Sequence, residues 1–139
     1  MGRSFWFECS KCGFRANVSG QFDRGLNVAV QTIHCRDCRK LYDAVIHLRV
    51  PDELKERSLN FGLRPRISPP QRAPASPPVL QVLVNRLPYK GIKYFRWMRY
   101  KPQCPVSAYH QVREWNAPDK CPRCGIFLEQ NAIPYRIWE

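Results

Sequence analysis

Three Cys-x-x-Cys pairs and a solitary seventh cysteine set the narrowest limit on what this chain can fold into. The pairs are Cys9/Cys12, Cys35/Cys38 and Cys121/Cys124, and the seventh thiol is Cys104. Two residues between thiols let both sulfurs of a tight turn aim at one ion, so each pair supplies half of a tetrahedral set. The chain has 139 residues, enough for one ordinary domain or two very small ones. A piece of about 60 residues buries too little surface to be robust and needs a staple. The opening MGRSFWFECSKC has no signal-peptide apolar core. The expectation is a cytoplasmic, reducing location, where cysteines serve as metal ligands rather than disulfides. No apolar run approaches the ~18 residues of a membrane span, so no membrane partner is expected.

Cys9, Cys12, Cys35 and Cys38 read as C-x2-C, a gap of 22 residues, and C-x2-C. The segments SFWFE, FRANV, LNVAVQTI and KLYDAVIHL carry strand patterns around these two knuckles, and SGQFDRG supplies turn residues. Gly13 follows Cys12, where the backbone has to turn tightly after its second ligand. These residues resemble the zinc-ribbon superfamily over about the first 50 residues. The resemblance implies a small β fold around one zinc and says little about a partner, because such ribbons serve many functions. The same four thiols lack the crossover helix of a thioredoxin-like motif and the ferredoxin spacings of an iron–sulfur site. A closed set of four thiolates leaves no position for water, so this first site is expected to be structural. Zinc binding to such a peptide releases about 10–16 kcal/mol, more than any core a 50-residue piece can build.

A second zinc is expected at Cys104, His110, Cys121 and Cys124. Cys121-Pro-Arg-Cys124-Gly125 repeats the knuckle pattern, and Cys104 adds a third thiol. Ser107 stands where a second thiol would complete the other pair, but a hydroxyl is a poor zinc ligand near neutral pH, so His110 is the expected fourth. An ordinary surface histidine is the alternative for His110. The zinc-deaminase pattern fails, since Gln111 and Val112 follow His110 and Lys120 precedes Cys121. No metalloprotease, phosphate-loop or dinucleotide motif is present. The chain is therefore expected not to be an enzyme; an open second zinc site or a redox switch there is the remaining catalytic alternative.

The expected organisation is a small zinc-stabilised β-rich protein. It comprises a zinc ribbon over 1–50, a short helix over 51–63, a Pro-rich basic linker over 64–78, and a second zinc-binding β module over 79–139. Lysines and arginines exceed acids by 23 − 11 = +12. From Arg57 to Arg113 there is no Asp or Glu, against eleven Lys and Arg. Two filled zinc sites would leave about +9, still attractive to polyanions. Within that region YKGIKYFRWMRYK interleaves Lys90, Lys93, Arg96, Arg99 and Lys101 with aromatic rings, Trp97 among them. Cations bind phosphate and flat rings stack on unpaired bases. On a strand, Lys93, Phe95, Trp97, Arg99 and Lys101 share one face, with Arg96 on the other. The reading is nucleic-acid binding, RNA over duplex DNA, through Lys90, Lys93, Arg96, Trp97, Arg99 and Lys101. Two alternatives stand beside it: Phe95 and Trp97 as core, and docking on an acidic protein partner.

Overall fold

A computed structural model of the chain describes residues 1–52, 78–80 and 93–138. The expected linker up to Pro77, the body of the expected helix and Lys90 lie outside the described residues. Pro51, placed from sequence at the mouth of that helix, instead ends a strand. It pairs with Phe95, and the Asp52 N–H donates to the Tyr94 carbonyl at 2.9 Å.

Nine strands form among the described residues: β1 (Gly2–Glu8), β2 (Arg15–Val18), β3 (Asp23–Arg24), β4 (Val28–Cys35), β5 (Lys40–Pro51), β6 (Phe95–Arg99), β7 (Val112–Glu114), β8 (Glu129–Gln130) and β9 (Arg136–Trp138). β1, β2, β4, β5 and β6 fall in segments whose patterns mark them, whereas β3 lies in the expected turn SGQFDRG and β7, β8 and β9 are not marked. All the strand pairings are antiparallel. One sheet has the order β2-β1-β8, with β9 continuing along β1 beyond β8. The other has the order β3-β4-β5-β6, with β7 also on β4.

Neither sheet respects the expected division at the Pro-rich segment. β1 pairs with β8 and β9, β4 with β7, and β5 with β6. The two halves of the sequence are therefore woven together in both sheets, and the expected separate modules over 1–50 and 79–139 are not how the strands assemble. Antiparallel partners can lie far apart in sequence, because closing a longer loop costs little more than closing a short one.

The core forms where the sheets face each other. Phe7, Phe14, Val18, Leu41, Trp115 and Leu128 are buried together with Cys9 and Cys121. Trp115 is fully enclosed and meets Phe7 edge-on, with ring centroids 5.2 Å apart. Its backbone N–H donates to Thr32 on β4 and its Nε1–H to the Lys120 carbonyl, at 2.9 and 3.1 Å. A single residue thus ties β4, β1 and the last knuckle together, through its backbone N–H at β4 and its indole at the other two. Val28, Val30, Val45, Leu48 and Trp138 make a second cluster, with Tyr100 packed against it. Trp138 stands opposite Gly2 in the pairing, and its indole occupies the space a Cβ at Gly2 would need.

A polar knot joins the layers. Asp43 on β5 accepts hydrogen bonds from the Ser19 N–H and hydroxyl and from the Thr32 hydroxyl, at 2.7 to 3.0 Å. Burial pushes its carboxyl up to about 6, against the opposing pull of Thr32 and Ser19. The folded value lies above the ordinary one, so between about pH 4 and about pH 6 the native state holds a proton that the unfolded chain has released. This group's contribution to stability is full below that window and is lost as pH rises through about 6. A carboxyl-carbon NMR titration should therefore show Asp43 with a midpoint near 6. Asp43→Ala leaves three donors without an acceptor and should destabilise the protein by about 2–3 kcal/mol in chemical denaturation.

Candidate metal centres

The knuckles share one backbone geometry. At the first, the Cys9 N–H donates to the Phe14 carbonyl and the Gly13 N–H to the Cys9 carbonyl, at 2.8 and 3.1 Å. At the last, the Cys121 N–H donates to Ile126 and the Gly125 N–H to Cys121, at 2.6 and 3.1 Å. Gly13 and Gly125 adopt φ of +72° and +80°, the left-handed region that glycine enters without a Cβ penalty. The middle knuckle, at the β4–β5 hairpin, turns at the same position, but there Arg39 takes φ +52°.

Four side chains meet at each of two points, and the membership differs from the expectation. Cys9 and Cys12 converge with Cys121 and Cys124; Cys35 and Cys38 converge with Cys104 and His110. Within each group the ligand atoms lie within 4.8 Å of one another. The ribbon set of Cys9, Cys12, Cys35 and Cys38 is therefore not one site, and neither is the set of Cys104, His110, Cys121 and Cys124. The structure brings together all eight side chains named from the sequence but pairs their halves in nested order, first with last and second with third. The reason is strand pairing: β8 lies on β1 beside Cys9, while β7 lies on β4 beside Cys35. Closing first with last rather than with second costs only about 1–2 kcal/mol of extra loop entropy, which the shared core outweighs.

The distances test whether a tetrahedral ion fits. Zinc–sulfur bonds of about 2.3 Å put sulfurs about 3.8 Å apart, and a sulfur and an imidazole nitrogen about 3.6 Å apart. Cys9–Cys124 and Cys12–Cys121 sulfurs are separated by 3.3 and 3.7 Å. In the other group Cys38 and Cys104 sulfurs are 3.7 Å apart, and His110 Nδ1 lies 3.4 Å from Cys38 Sγ and 3.6 Å from Cys35 Sγ. Both groups have the dimensions of a closed four-ligand site. His110 reaches its place through a loop turn in which its N–H donates to the Ser107 carbonyl, at 3.2 Å. The next residue binds this turn to the middle knuckle: the Gln111 N–H donates to Asp37 Oδ2, and the Arg36 N–H donates to the Gln111 carbonyl, at 2.9 and 3.0 Å.

The two groups differ in cover. Cys35 and Cys104 are buried, whereas Cys12 of the other group is exposed. Tyr42, which sequence reading did not single out, hydrogen-bonds Cys38, and burial followed by that bond raises its phenol above the usual range. Such a neighbour orients a ligating sulfur. Burial, with the neighbouring Cys104 and Cys38 thiols, pushes Cys35 up to about 11. Burial also opposes ionisation of Cys104, but backbone N–H groups of Ser107 and Val106 outweigh it and bring that thiol down to about 7.

Of the residues assigned to polyanion contact, Lys93, Trp97, Arg99 and Lys101 are exposed. Trp97 is 44% exposed and stands outside the core, contrary to the packing alternative. Arg96 pairs with Val50, projects from the opposite side of the sheet from Trp97 and is half-buried. Sequence reading missed Arg24, His47 and Arg49, which register brings to the Trp97 face. The rows run Arg24–Ala29–His47–Arg99 and Arg49–Trp97 across neighbouring strands. Their only sequence signal was strand periodicity, which cannot say which strands will be neighbours.

Fold and side-chain groups together define a small β-rich protein with two Cys/His sets able to hold metal ions. Among the described residues no helix is long and apolar enough to cross a membrane. Comparison with known protein families, curated proteins and solved structures returns no match.

The nested arrangement predicts the behaviour of paired variants. Cys9→Ser with Cys121→Ser should remove one metal equivalent and leave the other, because both thiols serve one ion. Cys9→Ser with Cys35→Ser should remove both, as read by native mass spectrometry. Reluctant thiols such as Cys35 must also shed their protons on binding. Metal affinity should thus weaken about tenfold or more per unit as pH falls from about 8 to about 6, with proton release measurable by calorimetry.

Proposed function

We propose that this is a zinc-stapled, non-catalytic protein that binds single-stranded nucleic acid, RNA in preference to duplex DNA, on the outer face of the β3–β6 sheet. Thiolate and imidazole donors with tetrahedral dimensions favour zinc. Four protein ligands at each ion leave no position for a reacting water, which supports a structural role for both.

The observation that carries the binding reading is the composition of that face. Arg24, His47 and Arg99 lie in one row, and Arg49 and Trp97 lie in the next. Arg24 stacks over the Trp97 ring at 5.3 Å and Arg49 over the Phe95 ring at 4.1 Å. Exposed Lys93 and Lys101 flank the strand. Among the described residues Arg15 pairs with Glu8 and Arg113 with Asp119, and neither pair involves Arg24, Arg49 or Arg99. Stacked guanidinium and aromatic planes beside exposed lysines suit unpaired bases and their phosphates. A sheet face without a long helix among the described residues suits a single strand better than a major groove.

Filter binding of oligouridylate, single-stranded DNA and duplex DNA across a salt series tests this. Single-stranded RNA should be retained at low salt, with log K falling against log salt at a slope of about −2 if three phosphates are neutralised. Trp97→Ala should weaken binding by about 1–3 kcal/mol, and Arg99→Glu by a comparable amount while flattening the slope. Absence of retention of any nucleic acid at low salt would overturn the reading. Nuclease-resistant capture of an acidic protein would replace it with the protein-docking alternative.

A further inference from the structure

The two ligand groups match in dimensions but not in exposure, and the difference rests on one sulfur. Cys9 and Cys121 are buried and Cys124 is half-buried, whereas Cys12 is exposed and flanked by exposed Lys11 and Gly13. In the other group Cys35 and Cys104 are buried and Cys38 and His110 half-buried, so no ligand there is exposed. Tyr42 on Cys38, and the bond from the Gln111 N–H to Asp37, add to that cover.

The charge beside the sulfurs differs as well. The residues enclosed by the first and last knuckles are Ser10, Lys11, Pro122 and Arg123, two cations and no acid. Both cations are exposed. The middle knuckle encloses Arg36 and Asp37, an ion of each sign. An accessible thiolate beside cations is the kind that attacks a peroxide, whereas a buried sulfur is inert. The resulting sulfenic acid condenses to a disulfide when a second thiol is at hand. Cys121 Sγ lies 3.7 Å from Cys12 Sγ. A disulfide bond is about 2.05 Å long, so roughly 1.7 Å of closure joins them.

We infer that Cys12 is a site of oxidation by peroxides, resolved by Cys121, through which this ligand group and not the other gives up its metal ion. The inference rests on the zinc reading of both groups and is independent of the nucleic-acid reading. The Cys12 thiolate attacks one oxygen of hydrogen peroxide; the O–O bond breaks, hydroxide leaves and Cys12 becomes a sulfenic acid. The Cys121 thiolate attacks that sulfur; the S–O bond breaks and a second hydroxide leaves. The two thiolates have then given up two electrons, the peroxide has taken them, and two protons from solvent complete two waters. Cys9 and Cys124 remain as half of a tetrahedral set, too few to hold the ion. The new bond still spans the first and last knuckles, so they stay tethered while the ion is absent.

The test uses the zinc-loaded full chain and roughly stoichiometric hydrogen peroxide, followed by native mass spectrometry. The mass should fall from two ions to one, with the first ion lost at least about tenfold faster than the second. Trypsin cuts after Lys11, Lys120 and Arg123, which puts Cys9, Cys12, Cys121 and Cys124 in four different peptides. The expected cross-link joins 12–15 to 121–123. Dithiothreitol with added zinc should restore the two-ion mass. Lys11→Glu, at an exposed position that is not a ligand, should keep both ions and slow the first release about threefold or more. Retention of both ions, loss of both at one rate, or a disulfide other than Cys12–Cys121 overturns the inference. So does sulfinic acid at Cys12 with no cross-link. A chain that carries no metal before peroxide is added overturns the zinc reading beneath it, and the starting mass tells the two failures apart.

Discussion

Convergence of side chains from opposite ends of the chain is the constraint on which the rest of the structure depends. Cys9 and Cys12 meet Cys121 and Cys124, and within that embrace Cys35 and Cys38 meet Cys104 and His110. The strands that carry these residues are short; β3 and β8 have two residues each. Pairings of that length do not persist alone in water. A tetrahedral ion at each meeting point would supply, in one event, the cohesion that such strands lack. The nesting also means that neither half of the sequence owns a complete ligand set.

The core and the ligand sets reinforce each other. Cys9 and Cys121 are buried in the cluster that contains Phe7, Trp115 and Leu128, so the apolar contacts that exclude water also shield the sulfurs. Trp115 does this from the loop between the second and first ligand sets, bonded to Thr32 at one end and Lys120 at the other. On the far side of the β3–β6 sheet the chemistry reverses. Ala29 is fully enclosed although it lies in the same row as Arg24 and His47, while Trp97 stands open on the proposed surface for polyanions.

Strand positions were readable wherever the pattern was local. β1, β2, β4 and β5 occupy the four segments whose alternation and β-branched content announce them, and β6 falls inside the aromatic-basic stretch. Gly13 and Gly125 were readable as knuckle glycines because the turn itself demands a left-handed residue; Arg39 was not, because arginine hides that demand. His110 was legible as a ligand only by elimination among nearby donors. Its partners were misjudged because proximity in sequence stood in for proximity in space, and the same error placed a domain boundary across sheets that the chain closes. Arg24, His47 and Arg49 were invisible for a related reason: a row across a sheet is a property of register, and register is set by partners elsewhere in the chain.

The sequence by itself determined the ligand atoms, the turns that present them and the strands between, since each depends on a few consecutive residues and the stereochemistry of the backbone. Tertiary structure alone decided which knuckle faces which, which cations share a face with Trp97, and that the Trp138 indole N–H is buried without an acceptor. These are long-range choices. The entropy of closing a loop barely distinguishes near from distant partners, so the burial of Phe7, Trp115 and the β4 valines settles them, and no local stretch of residues records that outcome.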